Sequence, residues 1–174
     1  MWHTHAVFGI NSLWLLTPLL NQTNTINVGL LAASAALGAL VPDLDAAESK
    51  IKHTKVFGVK PLLPISSILH RDLGHRGFLH SARGWALWTL LISPLAILIG
   101  WLPIVALSLG YASHLMGDAC THKGIPLRYP NQKRFCLLPK QFRIVTGSDI
   151  EEAVFVAFAC LICALLLSFT ALSL

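Results

Sequence analysis

Long apolar runs alternate with polar or basic segments along the whole chain. Residues 5–20 carry no charge beyond the first histidines, and a polar turn follows, Asn21-Gln22-Thr23-Asn24-Thr25. A second run, 26–41, is rich in Ala and Gly and ends at Pro42. The third covers 85–99, and Gly100-Trp101-Leu102-Pro103 turns it into a fourth, 104–119; the fifth covers 153–174. A helix needs roughly 20 apolar residues to cross a hydrocarbon core about 30 Å thick, so these runs predict about five transmembrane helices. The first two are short, which predicts little tilt or an incomplete crossing. Ala32, Ala33, Ser34, Ala36 and Gly38 suit close helix contact and predict that the second helix is interior. Pro61 and Pro64 argue against one long helix in the segment 42–83. Ser148 or Asp149 is placed to cap the last helix, with Glu151 and Glu152 in its first turn, where the helix dipole favours acids. The expected fold is an all-α integral membrane protein, a single domain over residues 1–174.

Composition strengthens this picture. The chain is 55% hydrophobic and 12% charged, and a soluble domain of 174 residues could not hide so much apolar surface. All 13 Lys and Arg lie between Lys50 and Arg83 or between Lys123 and Arg143. The positive-inside rule then places the N-terminus and both basic loops in the cytoplasm and the C-terminus outside, in a bacterial inner membrane. It also accounts for the formal charge of +5 without a nucleic-acid partner. Membrane lipids are the expected partners, with the basic loops near anionic headgroups. No basic segment precedes the first run, so it reads as a retained helix. Cys160 and Cys163 form a C-x-x-C inside an apolar run, where packing is the better reading than redox chemistry. Cys120 and Cys136 fall in a loop expected to be cytoplasmic, where thiols stay reduced.

The polar residues near the helix ends carry the chemistry. Asp43 and Asp45 flank Leu44 at the end of the second run, and carboxylates so close repel unless a cation or basic partner sits between them. His114 and Asp118 stand four apart in the fourth run and share a helical face. Such residues are costly inside an apolar helix and mark a functional site facing the bundle interior. His75 and His80 flank Gly77 just before the third run, and Arg76 between them suits bidentate contact with a phosphoryl group. His5 precedes the first run on the same expected side. Carboxylates mixed with imidazoles suit Zn²⁺ first, and Mn²⁺ or Fe²⁺ next, better than Ca²⁺ or Mg²⁺.

Taken in order, Val41-Pro42-Asp43-Leu44-Asp45, Gly74-His75-Arg76-Gly77-Phe78-Leu79-His80-Ser81, Leu109-Gly110-Tyr111-Ala112-Ser113-His114 through Asp118, and Gly124-Ile125-Pro126-Leu127 with Tyr129-Pro130 span nearly the whole chain. This pattern resembles the LexA-regulated, bacterial inner-membrane metal-dependent hydrolases of the SOS response. That family is grouped with zinc-dependent phospholipase C and a single-strand-specific secreted nuclease. The resemblance implies a helical core whose clustered zinc site cleaves phosphoesters. It matches His114 and Asp118 to the central H-x-x-x-D metal motif. One of Asp43 and Asp45 and one of His75 and His80 would complete the metal, His5 would take the place of an N-terminal histidine, and Glu151 resembles the acid at the start of the last helix. The soluble relatives use a processed N-terminal amine and an H-x-x-x-E motif, and this chain has no such motif. His53, His70 and His122 match no family motif and read as loop residues.

The expected function is therefore a membrane-bound hydrolase that activates water with a divalent metal, acting on a phosphoester at headgroup depth. Asp43 or Asp45 would serve as ligand or general base, with Arg76 and His75 steadying phosphoryl charge. Two alternatives are a membrane protein with a purely structural metal site and a transporter using Asp118 and His114 as an ion or proton relay. Substrate, number of metals and oligomeric state are left open by the sequence.

Overall fold

A computed structural model describes residues 2–16, 25–45 and 77–172. Helix α1 (Trp2–Asn11) runs into a 3-10 turn, Ser12–Leu16, and α2 (Thr25–Leu40) ends in another, Pro42–Asp45. A third 3-10 turn, Phe78–His80, precedes α3 (Ala82–Ile92), which continues through Ser93–Leu95 into α4 (Ala96–Ile99). Helix α5 (Trp101–Ala119) follows, and after a long connection containing the 3-10 turn Lys140–Phe142 the chain enters α6 (Asp149–Leu172). The described residues contain no strand, only isolated bridges between Thr121 and Ile144 and between Ile125 and Phe135.

The helix ends follow from their residues. Proline lacks the amide that would continue a helix, so α2 stops before Pro42, and Pro94 marks the break between α3 and α4. Gly100 turns the chain into α5 at φ +82°, a conformation that favours glycine. Ser81 caps α3 by accepting from the Gly84 amide at 3.1 Å, which meets one of the orphan donors of the first turn. Ser148 does the same for the Glu151 amide at 3.4 Å, with Asp149, Glu151 and Glu152 in the first turn of α6.

Helices α1, α2 and α5 form the core, and glycine lets their backbones meet. A Cβ on Gly110 of α5 would strike the backbone of Ala35, and one on Gly38 would strike that of Leu107. At Gly9 of α1 a Cβ would lie only 2.7 Å from that of Ala39. The interior position expected for the second helix is present, but its closest contacts use Ala35, Gly38 and Ala39, and Ala33 is exposed. Leu13, Leu16, Val28, Leu31, Ala35 and Ala106 pack together, and Tyr111, Leu115, Ala119 and Ile125 make a second cluster.

Helix α6 attaches to α1. Asn11 Nδ2 donates to the carbonyl of Phe158 at 2.8 Å, and the rings of Phe8 and Phe158 lie 4.8 Å apart. Around the core, long apolar side chains stay uncovered: Leu90, Leu91, Ile97 and Leu98 on α3–α4, Leu37 on α2 and Leu167 on α6. Among the described residues one helical stretch, Ala82–Ile99, is long and apolar enough to cross a membrane. The apolar part of α2, Val28–Leu40, is shorter, and the α-helical part of the first run ends at Asn11 rather than reaching residue 20. The shortness expected for the second run is visible in its helix, while residues 17–20 of the first lie outside the described residues.

The connection after α5 folds back onto that helix. Amides of Leu137 and Ile144 donate to the Ala119 and Cys120 carbonyls at 2.7 and 3.0 Å, supplying partners at a helix end that otherwise leaves carbonyls unpaired. Ile125 and Phe135 exchange backbone bonds of 3.0 and 2.7 Å, and the Ala82 amide donates to Leu127 at 3.1 Å, tying the connection to the start of α3.

Candidate metal centre

The site begins with a stripe on α5. Tyr111, His114 and Asp118 follow at i, i+3 and i+7, spacing that puts all of them on the face turned into the bundle, and all are buried. His114 Nδ1 lies 2.7 Å from the Ala39 carbonyl. Ala39 is within the last four residues of α2, whose carbonyls have no partner inside the helix. A carbonyl oxygen only accepts, so Nδ1 carries the proton and Nε2 keeps its lone pair, directed at the other polar groups.

His80 arrives on the turn before α3. Its amide bonds to Gly77 at 3.2 Å, Ser81 Oγ donates to the Phe78 carbonyl at 2.6 Å, and Tyr111 Oη donates to the Leu79 carbonyl at 2.6 Å. Tyr111 therefore fixes the turn carrying His80 from the same face of α5 that carries His114. Asp43 comes from the turn that Pro42 imposes after α2. His5 reaches in from α1, its ring stacked on His114 with centroids 3.9 Å apart and planes at 24°.

Their donor atoms converge. His80 Nε2 and His114 Nε2 are 3.3 Å apart; Asp118 Oδ2 lies 3.4 Å from the first and 3.7 Å from the second. Asp43 Oδ1 is 3.8 Å from both imidazoles. The other oxygen of Asp118, Oδ1, is 3.7 Å from His5 Nε2. Two overlapping groups, His5 with His114 and Asp118 and Asp43 with His80 and His114, each bring their ligand atoms within 4.8 Å of one another. Zinc bonds of about 2.1 Å in a tetrahedron separate neighbouring ligand atoms by about 3.4 Å, so these separations and donor types fit a divalent ion after small adjustment.

The cluster is closed on one side. His80 and His114 are fully buried and Asp118 is 2% exposed, whereas side chains of His5 and Asp43 are 15% and 25% exposed. Burial works against ionising Asp43, but the bond to His80 and the neighbouring imidazoles of His114 and His5 outweigh it and hold its carboxyl below the usual carboxylate range.

Not every expected residue joins this group. Glu151 accepts from the Gly147 amide at 2.6 Å and from Thr4 Oγ1 at 3.2 Å, bonds that occupy it at the start of α6 and tie that helix to α1. Neither convergent group includes it: the Gly147 amide just before the helix and Thr4 hold its carboxylate. The side chain of Asp45, and His75, Arg76, His53 and His70, lie outside the described residues. His122 is exposed, and His3 packs edge-on against Phe155 with ring centroids 4.8 Å apart. Two participants have no role in the sequence reading, the Ala39 carbonyl and Tyr111, which enters there only as part of a motif. Tyr111 had a signal, since it is three residues before His114 on the same face; a backbone carbonyl has none.

Residues 1–174 match the YdjM inner membrane protein family. Inner membrane protein YdjM of Escherichia coli (strain K12) is 39% identical over 160 residues, which cover 87% of this chain and 72% of that protein. The protein of the same name from Shigella flexneri matches equally. Uncharacterized protein YvsG of Bacillus subtilis (strain 168) is 36% identical over 130 residues, 72% of this chain and 71% of that one. No solved structure matches the chain. The matched names state a membrane location and no activity. An all-helical bundle with lipid-suited outer faces agrees with that location, and the chain belongs to the YdjM inner membrane protein family, hence to the bacterial inner membrane.

Proposed function

We propose that this protein is a membrane-embedded, metal-dependent hydrolase acting on a phosphoester, with lipid phosphoesters as the natural substrate class. One observation carries the reading: Asp43 and Asp118 each place a carboxylate oxygen 3.4–3.8 Å from both His80 and His114, whose Nε2 atoms are 3.3 Å apart. A divalent metal bound there would supply Lewis acidity and lower the pKa of a water toward 7. The chain's own groups do the rest. His114, locked by Ala39, presents its Nε2 lone pair without rotating, and His80 is carried on the turn that Tyr111 anchors. Asp118 offers one carboxylate oxygen to each side of His114. Asp43, partly exposed where solvent enters, serves as ligand or as general base. His75 and Arg76 keep the phosphoryl-steadying role read from their sequence.

The partial exposure of Asp43 and His5 favours catalysis over a structural site, which would close its coordination with buried ligands. The cluster's place at one end of the helices disfavours a transmembrane relay, which needs polar groups near mid-depth. The proposal includes about five spans, with the N-terminus and both basic loops cytoplasmic. Reporter fusions at Asn24 and the C-terminus should then read outside, and those at Lys60 and Lys133 inside. Activity is tested on bis(p-nitrophenyl) phosphate and on short-chain phospholipids with the zinc-loaded protein in detergent. Turnover should fall roughly a hundredfold in Asp43→Asn if that carboxylate handles the proton. A zinc-loaded wild type inert toward every phosphoester tried would leave the structural reading in its place.

A further inference from the structure

We propose that the segment from Lys133 to Val145 is an interfacial anchor lying on the anionic headgroups of the leaflet nearest the metal cluster. Between Asp118 and Asp149 the chain has six basic residues, Lys123, Arg128, Lys133, Arg134, Lys140 and Arg143, and no acid. Among them stand apolar side chains that nothing in the bundle covers: Leu137 is 51% exposed, Phe142 65% and Val145 56%. Cations interleaved with exposed Leu and Phe suit the boundary between headgroups and acyl chains, where charge and apolar surface are satisfied together.

Placement separates a lipid surface from other anionic partners. The Leu137 and Ile144 amides are bonded to Ala119 and Cys120 at the end of α5, one and two residues beyond Asp118. The segment therefore cannot reach far into water. Its shape is also set internally, by the Phe142 amide on the Pro139 carbonyl at 2.9 Å and by Arg143 Nε on the Leu138 carbonyl at 3.0 Å. A nucleic acid would match only the charges, whereas the headgroup boundary beside a membrane bundle meets both the charges and the bare apolar side chains. Each cation near an anionic membrane surface is worth roughly a fivefold preference. The inference rests on the inner-membrane family and the fold, and stands whether or not the cluster hydrolyses anything.

A nitroxide on Phe142→Cys, with the four native cysteines changed to Ser, tests it in nanodiscs of phosphatidylcholine with or without phosphatidylglycerol. With phosphatidylglycerol the label should collide more with oxygen and less with a water-soluble nickel chelate. Adding Lys133→Glu and Lys140→Glu should return it toward water. Equal, water-like accessibility in both lipids would overturn the proposal. So would shielding from both reagents, which would mean contact with a second copy. Hydrogen exchange on the wild-type protein guards against a misfolded variant: amides of 140–145 should exchange severalfold more slowly with phosphatidylglycerol present, and equal exchange would count against the anchor.

Discussion

Helix α5 and the α3–α4 pair are neighbours in sequence and nearly equal in length, yet they meet opposite surroundings. Only 11% of Ala82–Ile99 is buried, and Leu90, Leu91, Ile97 and Leu98 point away from the bundle. Helix α5 buries Ser108, Gly110, Tyr111, Ser113, His114 and Asp118 on its inner side. The more uniformly apolar segment is the outer one, and the helix interrupted by small and polar residues is the inner one. Soluble proteins follow the reverse rule. In a bilayer the solvent is as apolar as leucine, so interior position is marked by residues that let backbones approach or that bind something.

The sharpest way to break this contrast is to insert volume at its inner pole. Gly110→Leu would drive a side chain into the Ala35 backbone and should cost ~3 kcal/mol or more, enough to lose the folded form in a detergent melt. A Gly110→Leu protein that melts like wild type would mean that α2 and α5 are not in backbone contact.

Next in size is Tyr111→Phe, which removes the bond to the Leu79 carbonyl and should cost about 1 kcal/mol. Because that bond holds the turn bearing His80, metal affinity should drop severalfold as well, read by competition with a chromogenic chelator. A stability loss with unchanged affinity would separate Tyr111 from the cluster.

A smaller effect belongs to pH. Burial opposes ionising Glu151, but bonds from the Gly147 amide and Thr4 lower its pKa below the ordinary carboxylate value. A folded pKa depressed in this way gives stability that is complete above the unfolded value, about 4.3, and is lost as pH falls through the folded one. Glu151→Gln should therefore flatten the acid limb of a stability–pH profile and change little at pH 7 and above beyond a constant offset. Smallest of all, Leu98→Ala on the outer pair should move the melting temperature hardly at all, within about 0.5 kcal/mol. A large loss there would place α4 inside a protein interface.

Much of this was legible in the chain. Helices occupy all five apolar runs, and the i, i+4 spacing of His114 and Asp118 puts them together on the inner face of α5. The alternatives at Asp43 or Asp45 and at His75 or His80 stayed open because residues a few positions apart cannot be ranked without a backbone. Asp43 and His80 join the group, while the Asp45 side chain and His75 lie outside the described residues, so both alternatives stay open. What escaped the sequence was tertiary. The carbonyl that selects the His114 tautomer belongs to Ala39, 75 positions away, and the turn of Glu151 toward Gly147 depends on how α6 starts.

The central claim is that these side chains hold a metal. Metal content of the purified protein, wild type beside His114→Ala and His122→Ala, tests it most directly. The account predicts bound zinc, or manganese or iron, in the wild type and in His122→Ala, and its loss from a still-folded His114→Ala. Metal-free wild-type protein that gains no stability when zinc is added, or equal metal in all three, would contradict it.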